Sequence, residues 1–265
     1  MKEPSILSRL TAARAAAART IDSADLRRRI ATMPAPPDFA AAFRTPGLHI
    51  IAELKKASPS RGLIRAVFNP RELACELARA GAAAISVLTE PEYFLGNTDY
   101  LRQVSETVSI PLLCKDFITT EAQILQARAN GASAILLIAA ALSPARFREL
   151  RQYAESLSLH ALCETHNAGE IAMVLDGGAR IIGVNARNLH DFSMNPETSL
   201  ELLKTIPASV VRIAESGIIT RPQLELFRQA GADGFLIGEA LMREPSPGAK
   251  LRELLAVTSA PLAKP

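Results

Sequence analysis

The sequence predicts an α/β fold, a single (β/α)8 barrel behind a helical N-terminal extension. Three observations point there. First, one phrase recurs four times: AGAAAISVL from Ala80, NGASAILLI from Asn130, GGARIIGVN from Gly177 and AGADGFLIG from Ala230. Each places a glycine able to take a positive φ where a helix ends, then a small-residue turn, then an apolar run. Second, those runs lack polar alternation, the pattern of strands buried on both faces in a parallel sheet. Third, Gly81, Gly131, Gly178 and Gly231 lie roughly 50 residues apart, about twice one βα unit, so a further strand and helix fit between each pair.

The elements follow in order. Residues 1–47 combine helical pattern with the proline-rich TMPAPPDF stretch and read as a helical extension lying against the barrel. Strand one is LHIIAELKKASPS from Leu48; the strands between the repeats are IPLLCKDFI from Ile110, LHALCETH from Leu159 and VVRIAESGI from Val210. The eight strands are expected near 49–54, 84–89, 111–115, 134–138, 160–164, 181–185, 210–214 and 234–238. Segments Arg71–Ala80, Thr120–Asn130, Ser143–Ser156 and Arg221–Gly231 carry apolar residues at three- and four-residue spacing and read as helices. Several open on a cap followed by proline: Asn69–Pro70, Ser143–Pro144, and Thr220 before Arg221–Pro222. An open doubly wound sheet also alternates strand and helix, but the eightfold count and even spacing favour closure. The barrel domain is drawn as 48–258 and a tail as 259–265.

Composition narrows the function classes. Hydrophobic residues at 48% and charged residues at 22% are ordinary globular usage, which excludes a disordered chain. The net charge of +3 is scattered, with no basic stripe interleaved with aromatics, so no nucleic-acid partner is expected. Cys75, Cys114 and Cys163 are odd in number and unpaired in spacing; they read as small buried residues in a reducing compartment. No secretory leader and no membrane-spanning run is expected, and the location is read as cytoplasmic. His49, His160, His166 and His190 show no metal-ligand spacing, so no metal is expected. No G-x-G-x-x-G follows strand one and no G-x-S-x-G elbow exists, leaving no cofactor and no serine nucleophile to propose.

In such barrels the chemistry gathers at the carboxyl ends of the strands. There the sequence sets Glu53, Lys55 and Lys56 on strand one, Lys115 and Asp116 on strand three, and Glu164 on strand five. Asn185 and Arg187 follow strand six, and Glu215 and Ser216 follow strand seven. Lysines and carboxylates sharing one mouth shift each other's pKa, as acid–base catalysis requires. Ser216–Gly217 and Gly238–Glu239 add backbone N–H groups after strands seven and eight, the usual phosphate site of the fold, so the expected partner is a phosphorylated small molecule.

The segments IIAELKKASPSRG, SVLTEPEYFLG, LLCKDFI, ALCETH, IIGVNARNL, IAESGI and FLIGEALM resemble, in order, the strand-end motifs of indole-3-glycerol-phosphate synthases. The likeness runs from about Ile50 to Met242 and implies a monofunctional TIM-barrel lyase of tryptophan biosynthesis, without cofactor or metal and read as a monomer. It implies loss of CO₂ and water from 1-(2-carboxyphenylamino)-1-deoxyribulose 5-phosphate as its ring closes. By resemblance Lys115 is the acid for the carbonyl oxygen, and Lys55 binds the substrate carboxylate and supplies a proton for dehydration. Glu164 and Glu53 stabilise the cationic intermediate and take or relay protons, Asn185 and Ser216 orient hydroxyls and carboxylates, and Glu215 and Arg187 give rim support. Ser58, Gly217, Gly238 and the backbone N–H of Glu239 form the phosphate grip, with Phe94 also on the substrate. The sequence departs from the family at Leu95, Asn97 and Asn195, in the loops after strands two and six. Three other readings stand beside this one. They are a phosphosugar isomerase, whose reaction needs a Cys/Asp pair at strand ends whereas Cys114 and Cys163 sit inside apolar strands, an aldolase forming a Schiff base at Lys115 or Lys55, and a non-catalytic phosphoester binder.

Overall fold

The computed structural model describes residues 5–188 and 193–256; His190 and the tail 259–265 lie outside the described residues. Eight parallel strands close into a barrel: β1 (Ile50–Leu54), β2 (Ala84–Leu88), β3 (Leu112–Lys115), β4 (Ala134–Ile138), β5 (His160–Thr165), β6 (Ile181–Asn185), β7 (Val211–Glu215) and β8 (Gly234–Ile237). Each pairs in parallel with its neighbours in sequence, and β8 returns to β1 through Ile50↔Phe235 and Ile51↔Leu236. Every strand falls within a residue or so of its expected place.

Around it stand α3 (Pro70–Arg79), α4 (Thr98–Ser105), α5 (Glu121–Ala129), α6 (Pro144–Ser156), α7 (Ala168–Asp176), α8 (Pro196–Thr205), α9 (Arg221–Gln229), the one-turn α10 (Glu239–Met242) and α11 (Pro247–Leu255), after the extension helices α1 (Ile6–Ala18) and α2 (Ser23–Ala31). Their starts follow local chemistry. Asn69 accepts the Arg71 and Glu72 N–H groups ahead of Pro70, and Ser143 accepts that of Arg146 ahead of Pro144. Thr120 with Gln123 and Thr220 with Gln223 form capping boxes. The four repeat glycines all end helices at positive φ, between 82° and 104°.

Two apolar layers result. Leu77, Ile85, Ile124 and Phe147 are among the residues that fill the space between strands and helices. The barrel interior holds Ile51, Leu113, Leu136, Leu162, Ile181, Ile213 and Leu236. Phe39 and Phe43, the latter in a 3-10 turn Ala40–Phe43, belong to that inner cluster and plug the amino-terminal end of the barrel. The extension is tied down at two further places. Leu26 of α2 packs on Leu125 and Ala129 of α5. Arg14 of α1 donates two hydrogen bonds, 2.8 and 2.6 Å, to the Asp116 carboxylate.

One expectation gains a second part and one changes. Asp116, placed with the charged mouth by its position after strand three, lines the cavity there, but its carboxylate is 4% exposed and engaged by Arg14 and by the Thr89 hydroxyl, so it also anchors the extension. Cys75 is only half-buried, whereas Cys114 and Cys163 are buried in strands. A short hairpin, Ala57–Ser58 against Gly62–Leu63, was not anticipated; its two-residue strands are too short to show a period.

Candidate active site

Side chains two apart on a strand share a face. Ile51, Leu113, Leu162 and Ile213 point inward, so Glu53, Lys115, Glu164 and Glu215, each two residues on, also point inward at the carboxyl end. Asn185 holds the same place on β6, two residues after Gly183. Pleat periodicity therefore converts five chain-distant polar residues into one ring that caps the apolar barrel interior.

A cavity of about 710 Å³ opens there. Apart from Lys56, which is not among its lining residues, the sequence-proposed residues line it: Glu53, Lys55, Ser58, Phe94, Lys115 and Glu164 from the first five strands and their loops, with Asn185, Arg187, Glu215, Ser216, Gly217, Gly238 and Glu239 from the last three.

At its floor the Lys115 Nζ lies 3.2 Å from Glu164 Oε2 and 3.7 Å from Glu215 Oε2. Burial works against the Lys115 ammonium, but Glu164, Glu215 and Glu53 together outweigh it and raise its pKa. Burial also disfavours the Glu164 carboxylate, yet Lys115, His166 and a hydrogen bond with Asn185 hold it below the usual carboxylate range. Glu215 is different. Burial, then the nearby Glu164 charge, push it up to about 8. Its Oε1 is buried with no hydrogen-bond partner among the described residues, as suits the member of a carboxyl pair that keeps a proton. It is 2% exposed, so it belongs to the floor of the site and not to the rim where the sequence reading set it.

The second lysine pairs separately: Lys55 Nζ stands 2.6 Å from Glu53 Oε2. Two glycines make this ring possible. A Cβ at Gly183 would collide with Glu215 Oε1, and one at Gly238 with Glu53 Oε2. Gly238, read from sequence as part of the phosphate grip, thus also clears space for a carboxylate.

Toward the mouth, Ser216 (φ 67°) and Gly217 (φ 75°) both take left-handed conformations in the β7–α9 turn. Such strain in a non-glycine residue persists where surrounding structure imposes it, commonly at functional sites. The Glu239 carboxylate stands 3.1 Å from Arg61, 3.2 Å from Arg243 and 3.9 Å from Arg187, and Arg187 also reaches the Ser60 hydroxyl. The Ser58 hydroxyl is buried without a partner among the described residues. Opposite lies an apolar wall in which Phe94 and Phe117 meet at 6.1 Å between ring centroids. Phe94 is held by Glu90, whose carboxylate accepts the N–H groups of Glu92, Tyr93 and Phe94.

Sequence reasoning missed Phe117, Arg61, Arg243 and Gly183, and it passed over His166, whose Nε2 lies 3.5 Å from Glu164 Oε1. Arg243 had a signal, one helical turn after Glu239; His166 had its place two residues past Glu164. The departures at Asn97 and Asn195 are helix caps: Asn97 accepts the Asp99 N–H and Asn195 that of Thr198. Ser, Asp and Asn serve that position almost equally well. Leu95 sits at φ 51°, and nothing in the structure explains leucine there. Among the described residues, no group of three or more His, Cys, Asp or Glu is placed to hold a metal ion.

A barrel with two lysines set among carboxylates, an aromatic wall and an arginine-rich mouth has the groups that acid–base chemistry on a small anionic molecule requires. The family model for indole-3-glycerol phosphate synthase matches residues 5–254. The indole-3-glycerol phosphate synthase of Sulfurimonas denitrificans is 51% identical over 205 residues, covering 77% of this chain and 78% of that one. That of Lacticaseibacillus paracasei is 47% identical over 222 residues, covering 83% and 85%. A solved structure of 3-hexulose-6-phosphate synthase from Salmonella typhimurium superposes with a TM-score of 0.64 at 12% identity, covering 78% of this chain and 96% of that one, and so shares the fold. The chain belongs to the indole-3-glycerol phosphate synthase family, decarboxylating lyases of tryptophan biosynthesis that act on a phosphorylated small molecule. No helix among the described residues is long and apolar enough to cross a membrane.

Proposed function

We propose that this cavity closes the indole ring of 1-(2-carboxyphenylamino)-1-deoxyribulose 5-phosphate, with Lys115 as the acid. The observation that carries the assignment is a single ammonium on the cavity floor, 14% exposed, between Glu164 and Glu215. Its raised pKa keeps it protonated at neutral pH, ready to donate to the ketone oxygen as the aromatic ring carbon attacks. The ring then carries positive charge, and Glu164, kept ionised beside Lys115, stabilises it. Loss of CO₂ restores the aromatic electrons. Departure of the former ketone oxygen as water, with the proton of the adjacent carbon passing to a carboxylate lining the cavity, Glu53 or Glu164, completes the indole. Lys55, paired with Glu53, binds the departing carboxylate and supplies the proton for dehydration.

Phe94 and Phe117 form one wall for the aryl group and exclude water from it. Asn185 and Ser216 orient the hydroxyls. The phosphate is gripped by Ser58, by the turn at Gly217, and by the N–H groups that open α10 at Gly238 and Glu239, which have no intrahelical acceptor. Arg187 supplies charge. In this reading the phosphate competes with the Glu239 side chain for Arg61, Arg187 and Arg243.

The rival readings meet specific obstacles. Burial pushes the Cys114 and Cys163 thiols up to about 12, so neither is the thiolate an isomerase base needs. A Schiff-base lysine needs a lowered pKa, and that of Lys115 is raised. The test is to incubate the purified protein with the carboxyphenylamino substrate in EDTA and follow indole fluorescence. Product formation supports the reading; a folded protein that forms none overturns it.

A further inference from the structure

Glu164 is flanked on both oxygens. Oε2 faces Lys115 and Oε1 faces the imidazole of His166, Nε2 at 3.5 Å. His166 does not line the cavity, and its side chain is 15% exposed. It is fixed from behind: Nδ1 lies 3.2 Å from Glu170 Oε2, the same oxygen that accepts the His166 backbone N–H at 2.8 Å. Glu170 is held in turn by the Asn167 side-chain amide at 2.7 Å, at the first turn of α7. The Nε2 is buried and has no hydrogen-bond partner among the described residues, so the ring presents an unspent polar atom toward Glu164.

We propose that His166 is a positioning residue for the ring closure: anchored through Nδ1 to Glu170, it holds the Glu164 carboxylate ionised and turned toward Lys115. The inference rests on the role given to Glu164 above. The charged groups facing the imidazole are Glu164 from β5, Glu170 from α7 and, farther off, Glu215 from β7, with Lys115 of β3 across Glu164. Burial opposes the imidazolium, but those three carboxylates outweigh it and raise the His166 pKa. A cation beside Glu164 favours its anion, so the histidine widens the pH range over which that carboxylate is ionised. Substrate contacts are left to other residues, and a change at His166 therefore acts on turnover through Glu164.

The experiment is the pH profile of kcat and KM for His166→Gln, Glu170→Gln and Glu164→Gln, by indole fluorescence, with folding checked by circular dichroism. In His166→Gln the acid limb of kcat moves up by about one pH unit, a loss of about tenfold below the limb. The profiles of variant and parent converge toward alkaline pH, where the parent imidazole is neutral, and KM changes little. Glu170→Gln, remote from substrate, shifts the limb in the same direction by less. A purely structural defect lowers the whole profile evenly. Nuclear magnetic resonance titration of the His166 ring gives a second readout: its pKa falls in Glu164→Gln. An unshifted acid limb in folded His166→Gln, with Glu164→Gln inactive, overturns the role of His166 alone. Near-normal turnover in Glu164→Gln overturns the reading of Glu164 and this inference with it.

Discussion

Replacing Lys115 with methionine keeps most of the length of the side chain and deletes its charge, leaving Glu164 buried on the cavity floor. At an effective dielectric of about 20, a unit pair at the observed 3.2 Å is worth roughly 5 kcal/mol. Releasing the lysine from its own desolvation returns part of that. Removing one partner of a buried pair typically costs about 3–5 kcal/mol, because the other charge is stranded. For a chain of this size each kcal/mol corresponds to roughly 2–4 °C in Tm, so a fall of about 6–20 °C is expected near neutral pH. The deficit should also grow with pH. Below about 8 Glu215 holds its proton and only one carboxylate loses its cation; above that value two do. Urea denaturation of parent and variant at pH 6 and pH 9 measures this difference directly. Turnover by indole fluorescence should drop by about 10²–10⁴-fold, the usual weight of a positioned acid. The reasoning is refuted by a variant within about 1 kcal/mol of the parent at both pH values, or by one that keeps a tenth of the parent's activity.

Three further outcomes follow from the same geometry. Glu215 has its folded pKa raised to about 8 from the ordinary 4.5, so its stabilising contribution is whole below 4.5 and lost as pH rises through 8. At about 1.36 kcal/mol per unit the ceiling is roughly 5 kcal/mol, and Glu215→Gln, resembling the neutral acid, should gain stability relative to the parent between pH 5 and pH 9 in denaturant titrations; a constant difference would contradict this. Gly238→Ala drives a methyl into the Glu53 carboxylate, so overpacking of about 1–3 kcal/mol and at least a tenfold lower kcat are expected, with the barrel intact by circular dichroism. Arg14→Ala strands the Asp116 carboxylate, which is 4% exposed; a loss of about 3–5 kcal/mol and faster limited proteolysis between residues 5 and 45 should appear, and unchanged cleavage would rule out the anchor.

Much of the site was legible because barrel architecture turns sequence position into spatial position. Once eight strands are counted, the polar residues at the carboxyl ends of the apolar runs gather at one end of the barrel, and Glu53, Lys115, Glu164, Asn185 and Glu215 all line the cavity there. What stayed hidden were relations across strands. Glu215 read as rim support because its position after Ala214 says nothing of Gly183 on the neighbouring strand, whose missing side chain lets it sink to the floor. His166 read as bland because metal-ligand spacing was the only signal sought, whereas its partner is the carboxylate two residues earlier. Asp116 lines the cavity as its place after strand three implies, but its anchoring role stayed hidden because Arg14 lies 102 positions away in an extension with no strand register to place it.

The sequence alone determined the elements and their order. Caps such as Asn69, Ser143 and Thr220 and turn glycines such as Gly81 and Gly231 act over a few residues, and apolar runs demand burial whatever the partner. Only the tertiary structure decided the charge state of the ring. Lys115 and Glu164 are 49 residues apart in the chain and 3.2 Å apart in space, and that distance exists only once β3, β4 and β5 lie side by side in the curved sheet. Ionisation of buried groups depends on burial and on charge separation at the scale of a few ångströms, and neither quantity is carried by local sequence.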